Sequence, residues 1–215
     1  MRWDWRKALA WQAGLMAVAI ALAAAEPSPS PDPQTAVDPP QGQLLIAAAG
    51  MQDPRFRHTV ILLVRHDKDG AFGIIINRPL GERPIAELLA ASEGKAKQNE
   101  DRDITGTIRV FVGGPVQPEL GFVLHSAEYH GDGTLDVDGQ VAMTANKQVL
   151  RDIGRGKGPK QNLFALGYAG WGAGQLEAEM ARHDWFTAPD DPQLVFDADR
   201  TDVWRRAFDR RMREL

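Results

Sequence analysis

From residue 44 onward, short apolar runs alternate with turns rich in Gly, Pro, Asn and Asp. Residues 44–49 form one such run, and after the Gln52-Asp53-Pro54 turn the run 59–64 is β-branched enough to predict a buried strand. The turn chemistry of His66-Asp67-Lys68-Asp69-Gly70 predicts a hairpin into a third strand over 72–76, which Asn77-Arg78-Pro79-Leu80 stops. Pro84 opens a short helix over 84–89, and a polar loop covers 93–103. Strands follow at 108–112 and 121–125, separated by Gly113-Gly114-Pro115 and a short piece over 116–120. Residues 139–143 lead into a helix over about 145–153 with Thr144 as its N-cap. A strand at 163–168 ends in Gly170-Trp171-Gly172-Ala173-Gly174, and a helix over 175–183 carries Leu176 and Met180 on one face. A last strand at 194–196 precedes a helix capped by Thr201, in which Trp204, Ala207, Phe208, Met212 and Leu215 keep the 3.6-residue period. Strands outnumber helices without alternating regularly, which predicts an α+β domain with a mainly antiparallel sheet.

The front of the chain has a different pattern. Arg2, Arg6 and Lys7 precede an apolar run over 8–25 that ends in Ala23-Ala24-Ala25, the layout of a signal peptide, so 1–25 is read as a signal peptide or N-terminal hydrophobic segment. The run is short and Ala-rich for a permanent span, which favours cleavage over anchoring and a periplasmic or secreted product; an uncleaved segment would tether the domain to the membrane. Residues 26–41 hold six prolines (Pro27, Pro29, Pro31, Pro33, Pro39 and Pro40) and read as an extended linker, leaving 42–215 as one domain. The 215 residues carry 25 Lys+Arg against 29 Asp+Glu, net −4. Cleavage after Ala25 removes three basic residues and Asp4, taking the net charge to −6. That balance gives no general basic field and argues against direct nucleic-acid binding. The absence of Cys excludes disulfides, thiolate metal sites and a Cys nucleophile.

Familiar chemistry finds little support. His58, His66, His125, His130 and His183 form no metal-binding pair, and His125, inside an apolar stretch, fits a hydrogen-bonded structural role. Glu179 and His183 stand four apart on one predicted helix face. The Asp-rich stretches 67–70 and 136–139 lack the later ligands of a calcium loop and read as hairpin turns. Ser92 and Ser126 occupy no nucleophile elbow. The glycines of 170–174 fail the dinucleotide pattern at Gln175, and Gly156-Lys157 is followed by Gly158 rather than Ser or Thr. Arg151, Arg155, Lys157 and Lys160, and the arginines of 205–213, read as solvated faces.

Taken in order, Gly42-Gln43-Leu44-Leu45-Ile46-Ala47, Gln52-Asp53-Pro54-Arg55-Phe56, Gly73-Ile74-Ile75-Ile76-Asn77-Arg78-Pro79-Leu80 and Val112-Gly113-Gly114-Pro115-Val116 resemble blocks of the bacterial YqgE/AlgH family. Gly121-Phe122-Val123-Leu124-His125, Ala165-Leu166-Gly167-Tyr168-Ala169-Gly170-Trp171, Gly174-Gln175-Leu176-Glu177, Trp185-Phe186-Thr187-Ala188-Pro189 and Trp204 extend the resemblance over nearly all of 42–215. It implies an α+β fold whose bifurcated sheet closes into a pseudo-barrel with flanking helices, and it brings no established enzymatic activity or cofactor. One branch carries a transcriptional-regulator label, for which this chain shows no helix-turn-helix and no basic recognition helix. Typical members resemble cytosolic proteins starting near Gly42, so cytoplasmic residence is the alternative to export.

Three function classes remain. The favoured one is a non-catalytic binding or adaptor domain for a protein or small ligand, with no cofactor and no metal. Its candidate surface is Asn77, Arg78, Pro79, Gly113, Gly114, Pro115, Gly170 and Trp171, with His125 and Glu177 as further polar groups. Turns and core packing are the competing explanation of the same residues. The second class is a cytosolic transcriptional regulator, and the third an enzyme of unrecognised type in which Asn77, Arg78, His125 and Glu177 would have to converge.

Overall fold

A computed structural model describes residues 39–93, 101 and 103–211. The leader, most of the linker, most of the polar loop at 93–103 and the helical positions Met212 and Leu215 lie outside the described residues. In chain order the elements are β1 (Gln43–Ala47), β2 (Val60–Asp67), β3 (Gly70–Ile75), β4 (Pro79–Pro84), α1 (Ile85–Glu93), β5 (Thr107–Val112), β6 (Val116–Ser126) and β7 (Thr134–Asp136). They continue with β8 (Val141–Thr144), α2 (Gln148–Gly154), β9 (Asn162–Gly172), α3 (Gln175–Ala181), β10 (Trp185–Pro189), α4 (Pro192–Phe196) and α5 (Val203–Arg211). The main path of the sheet is β10-β1-β2-β3-β9-β6-β8-β7, with the antiparallel β4–β5 pair branching from β9 through β5. Apart from the parallel β5–β9 pair every pairing is antiparallel. The result is an α+β domain with a curled, forked, mainly antiparallel sheet and flanking helices. Among the described residues no helix is long and apolar enough to cross a membrane.

The continuous apolar runs of β1 to β3 follow from burial on both faces. Leu44, Ile46, Val60, Leu62, Val64, Ile74 and Ile76 fill the inside of the curl. Their strand neighbours Leu45, Ala47, Ile61, Leu63, Ala71 and Ile75 pack outward with Trp171, Leu176 and Trp185. A third cluster places α1 and α2 over the other branch, joining Ile85, Leu89, Val149 and Leu150 to Ile108, Val110, Val123 and Phe164. Fully burying each Leu or Ile contributes ~1.5–3 kcal/mol, so losing either face would be costly.

The fork is built at Gly167. On one edge β9 pairs in parallel with β5 at 164–166 and then antiparallel with β3 at 169–172. Leu163 and Ala165 face the inner core before the glycine, whereas Tyr168 does so after it, leaving Ala169 and Trp171 on the outer face. Gly167, at φ 71°, is the residue that shifts this phase. A Cβ on it would lie 2.5 Å from the Gly114 carbonyl oxygen, and one on Gly113 would lie 2.3 Å from the Gly167 carbonyl oxygen. The Gly113 amide donates to Leu166 O at 2.7 Å and Ile75 N donates to Gly113 O at 2.8 Å, so the β5 edge hands over to β3 through hydrogen bonds.

Several predicted boundaries move, each for a local reason. His66 and Asp67 belong to β2, and the hairpin turn is only Lys68-Asp69. The stretch expected to stop at Asn77-Arg78-Pro79-Leu80 resumes as β4, a strand exposed at every position with Pro at both ends, which suits an edge. The expected break over 116–120 is absorbed into β6 as an irregularity, with Gln117 at φ 47°. Thr144 is not an N-cap: it ends β8 and accepts or donates at His125 Nε2 and Thr134 Oγ1, while Asn146 Oδ1 takes the Gln148 amide at the start of α2. Gly170-Trp171-Gly172 is the end of β9 rather than a loop. Residues 194–196 form α4 instead of a strand, because Asp191 caps it, Pro192 opens it, and Arg109 and Arg200 donate to its last carbonyls. Trp185–Pro189, given no element from the pattern, is β10 and pairs along β1.

The crossing yields a prediction. Gly156, at φ 70° with nothing within 4 Å of an added Cβ, reports the conformational penalty alone. Gly156→Ala should lower stability by about 1 kcal/mol. Gly167→Ala, at nearly the same φ but with backbone in the way, should lose about 3 kcal/mol or more. Urea unfolding of both variants checks this; equal losses would contradict the close approach.

Candidate functional site

A cleft of about 280 Å³ opens where the 51–56 turn, the start of β6, the end of β9, α3 and the 182–185 segment meet. The first turn of α3 follows directly on β9, so Gln175 and Glu179, four apart, stand over the strand end. Glu179 Oε2 accepts from both indoles, Trp171 Nε1 at 2.9 Å and Trp185 Nε1 at 2.8 Å. Glu179 Oε1 accepts from Gln175 Nε2 at 2.9 Å, and Gln175 Oε1 in turn takes the Gly172 amide at 3.1 Å. The two rings meet edge to face at 5.9 Å, and Phe56 meets Trp185 the same way at 5.5 Å. One carboxylate thus orients two Trp side chains, each only 3% exposed.

Two Arg–Asp pairs flank this centre. Arg55 grips Asp53 with bonds of 3.0 and 2.7 Å, which holds the Asp53 carboxyl below the usual range. Arg182 meets Asp184 at 2.9 Å. Asp53, Asp184 and Glu179 outnumber Arg55 and Arg182 by one, and among the described residues Glu179 has no cationic partner.

Of the residues singled out from sequence, Pro115, Gly170 and Trp171 line this cleft. Gly113 and Gly114 sit behind it in the backbone crossing. Asn77 is a strut: its Oδ1 accepts from Val60 N and its Nδ2 donates to His58 O. Arg78 donates to Arg57 O, its carbonyl takes the Val112 amide, and burial lowers its pKa; Pro79 opens β4. His125 is fully buried, with Nε2 2.8 Å from Thr144 Oγ1 and Nδ1 3.0 Å from Ser126 O, and burial holds its pKa low. Glu177 faces away from the cleft, its Oε1 2.6 Å from His66 Nε2, while His66 Nδ1 lies 2.9 Å from the carbonyl of buried Pro39. Asn77, Arg78, His125 and Glu177 therefore serve separate partners, and none lines the cleft.

Gln175, Glu179 and Trp185, which complete the centre of the cleft around Trp171, lie outside the candidate surface. The predicted helix face joins Glu179 to His183, but His183 stands beyond α3 at φ 59°, and the pair that forms is Gln175 with Glu179. The available signal was the i, i+4 spacing just after a strand-ending Trp; nothing local announces that Trp185 returns to the same carboxylate.

Two other places offer less. An apolar hollow of about 200 Å³ lies among Val64, Phe72, Phe122, Leu135 and Met143. Asp190, at the end of β10, meets Asp138; burial, then the shared hydrogen bond and the Asp138 charge, push its carboxyl up to about 7. Among the described residues no group of three His, Asp or Glu side chains is placed to hold a metal ion.

The AlgH-like family model matches residues 44–214. A UPF0301 protein of Jannaschia is 47% identical over 168 residues, covering 77% of this chain and 85% of that one. A UPF0301 protein of Rhodospirillum rubrum is 44% identical over 169 residues, covering 79% and 85%. The solution structure of the AlgH protein from Pseudomonas aeruginosa superposes with a TM-score of 0.65 at 37% identity, covering 85% of this chain and 92% of that one. A Corynebacterium diphtheriae crystal structure, 22% identical with a TM-score of 0.60 over 78% and 84%, shares the fold. The chain belongs to the AlgH-like family, as its sequence blocks implied.

The raised Asp190 pKa has a signed consequence. A carboxyl that binds its proton more tightly when folded contributes stability below its unfolded pKa and loses it as pH rises through about 7. Asp190→Asn should therefore leave thermal stability unchanged at pH 4 and raise it at pH 8. Melting curves across that range check this; a variant less stable at pH 8 would contradict it.

Proposed function

We propose that this chain is a non-catalytic binding domain that recognises a partner or ligand through the cleft at Trp171, Gln175, Glu179 and Trp185. The observation that carries the reading is the carboxylate held by two buried indoles and, among the described residues, left without a cation in the wall of an open, polar cleft. Orienting a charge this way before a ligand arrives lowers the ordering cost of binding, which is what a recognition site needs. Each side chain around Glu179 acts as donor, acceptor or wall, and none is a nucleophile paired with a base.

A transcriptional role through direct DNA contact has less support. On α5, Arg205 pairs with Asp202, Arg206 with Asp197 and Arg210 with Asp191, while Arg211 lies over Phe186 and Phe208. Arg151 and Arg155 pair with Asp101 and Asp103. Guanidiniums committed to such contacts are poorly free to displace counterions from phosphates. On the same reading the domain works outside the cytoplasm, delivered or tethered by the N-terminal segment, whose basic start and apolar run support export.

Two experiments test these readings. A photo-crosslinking residue at exposed Gln52, on the cleft rim, should give a discrete adduct in a bacterial host that Glu179→Gln reduces at least ~10-fold; the same residue at Lys160 should give none. Equal adducts from both positions, or indifference to Glu179→Gln, would sink the cleft. Intact mass after fractionation should show a product starting near Glu26 in the periplasm; full-length protein confined to the cytoplasm would end the export reading.

A further inference from the structure

The fork leaves one short strand edge open, and that edge faces the cleft. Edge by edge, β9 carries β5 and then β3 on one side. On the other it carries β6 at 162–166 and at the single pair Val116↔Tyr168, where β6 begins. Beyond Tyr168 no described strand covers that second edge.

The direction of the backbone groups follows from three contacts. Trp171 O points at β3, since a Cβ on Gly70 would stand 2.2 Å from it. Ile75 N, in phase with Ala71 and Gly73, donates toward the same side. Gly172 N points away from β3, to Gln175 Oε1. Successive residues of a strand alternate, so Gly170, opposite Phe72, turns its N–H and C=O away from β3, between Pro115 and Trp171 in the cleft wall. Pro115 has no N–H to offer that edge, and the Gln175 side chain closes its far end.

We propose that the cleft binds an extended peptide segment carrying a Lys or Arg, which adds to the open edge of β9 by exchanging backbone hydrogen bonds with Gly170 while its cation reaches Glu179 Oε1. The inference rests on the cleft being the recognition site and names what it takes. A β-addition site needs an unpaired strand edge for affinity and a side-chain receptor for specificity. The edge supplies the N–H and C=O of Gly170 and the C=O of Gly172. Glu179 supplies the receptor: among the described residues its Oε1 accepts only from Gln175, and the charge of the cleft is one carboxylate in excess. The missing side chain at Gly170 brings the incoming backbone close without a Cβ on the strand it joins.

The test uses the full chain, isotope-labelled. In the free protein the Gly170 amide should exchange with solvent at least ~10-fold faster than those of Ala169 and Trp171, which bond to β3. Equal protection at the three positions would overturn the proposal. A random linear heptapeptide library selected against the protein should yield binders enriched in Lys or Arg. The enriched peptide, synthesised, should slow Gly170 exchange, shift the Trp171 and Trp185 indole signals, and lose at least ~10-fold in affinity on N-methylation at one residue opposite Gly170 but not at the next. Glu179→Gln should weaken the same peptide by a similar factor. Peptides that shift the indoles yet ignore N-methylation would overturn strand addition and leave the cleft standing. Peptides that shift neither indole, or a library with no binder above background, would overturn both.

Discussion

Three glycines meeting backbone to backbone set the architecture. Gly167 lies against the Gly114 carbonyl and Gly113 against the Gly167 carbonyl, closer than any side chain would allow. Because Gly167 sits at positive φ, β9 changes phase there, and one strand can line the inner core with Leu163, Ala165 and Tyr168 and the outer cluster with Ala169 and Trp171. The same point lets its edge pass from β5 to β3. The fork, the outward position of Trp171 and the uncovered edge beyond Tyr168 are consequences of that one approach.

The site is assembled around it with few parts. Trp171 comes from the strand, Trp185 from the next strand in sequence, and α3 between them supplies the carboxylate that takes both indole N–H groups. Burying two indoles beside an apolar cluster without a partner for each N–H would cost about 1–3 kcal/mol apiece. Glu179 removes that cost and is held in one orientation by doing so. Structure and recognition therefore lean on the same side chain, and a charge available to a ligand is a by-product of satisfying the core.

Much of this was legible along the chain. Two-faced burial shows in unbroken apolar runs, which is why β1, β2 and β3 are legible from pattern alone; β5 shows as the apolar residues around Arg109, and the family blocks carry the forked sheet. What failed was polar or shared between distant segments. β4 has no buried position to announce it, and in α4 the apolar triplet Leu194-Val195-Phe196 matches a strand while the Asp191-Pro192 cap makes it a helix. Thr144 looked like a cap because its partner, His125, lies nineteen residues away on a neighbouring strand. The candidate surface mixed residues of three kinds: cleft walls (Pro115, Gly170, Trp171), the crossing (Gly113, Gly114), and struts or buried pairs (Asn77, Arg78, His125, Glu177). A linear reading sees that Gly-rich turns are special; it does not see which of them meet.

The measurement that bears most directly on the account is scalar coupling through hydrogen bonds in the labelled, ligand-free protein. The crossing requires couplings from the Gly113 amide to the Leu166 carbonyl and from the Ile75 amide to the Gly113 carbonyl, with none from the Gly170 amide to any carbonyl. A coupling at Gly170, or the absence of the other two, would mean that the strand is not divided at Gly167 and that the edge beside Glu179 is closed.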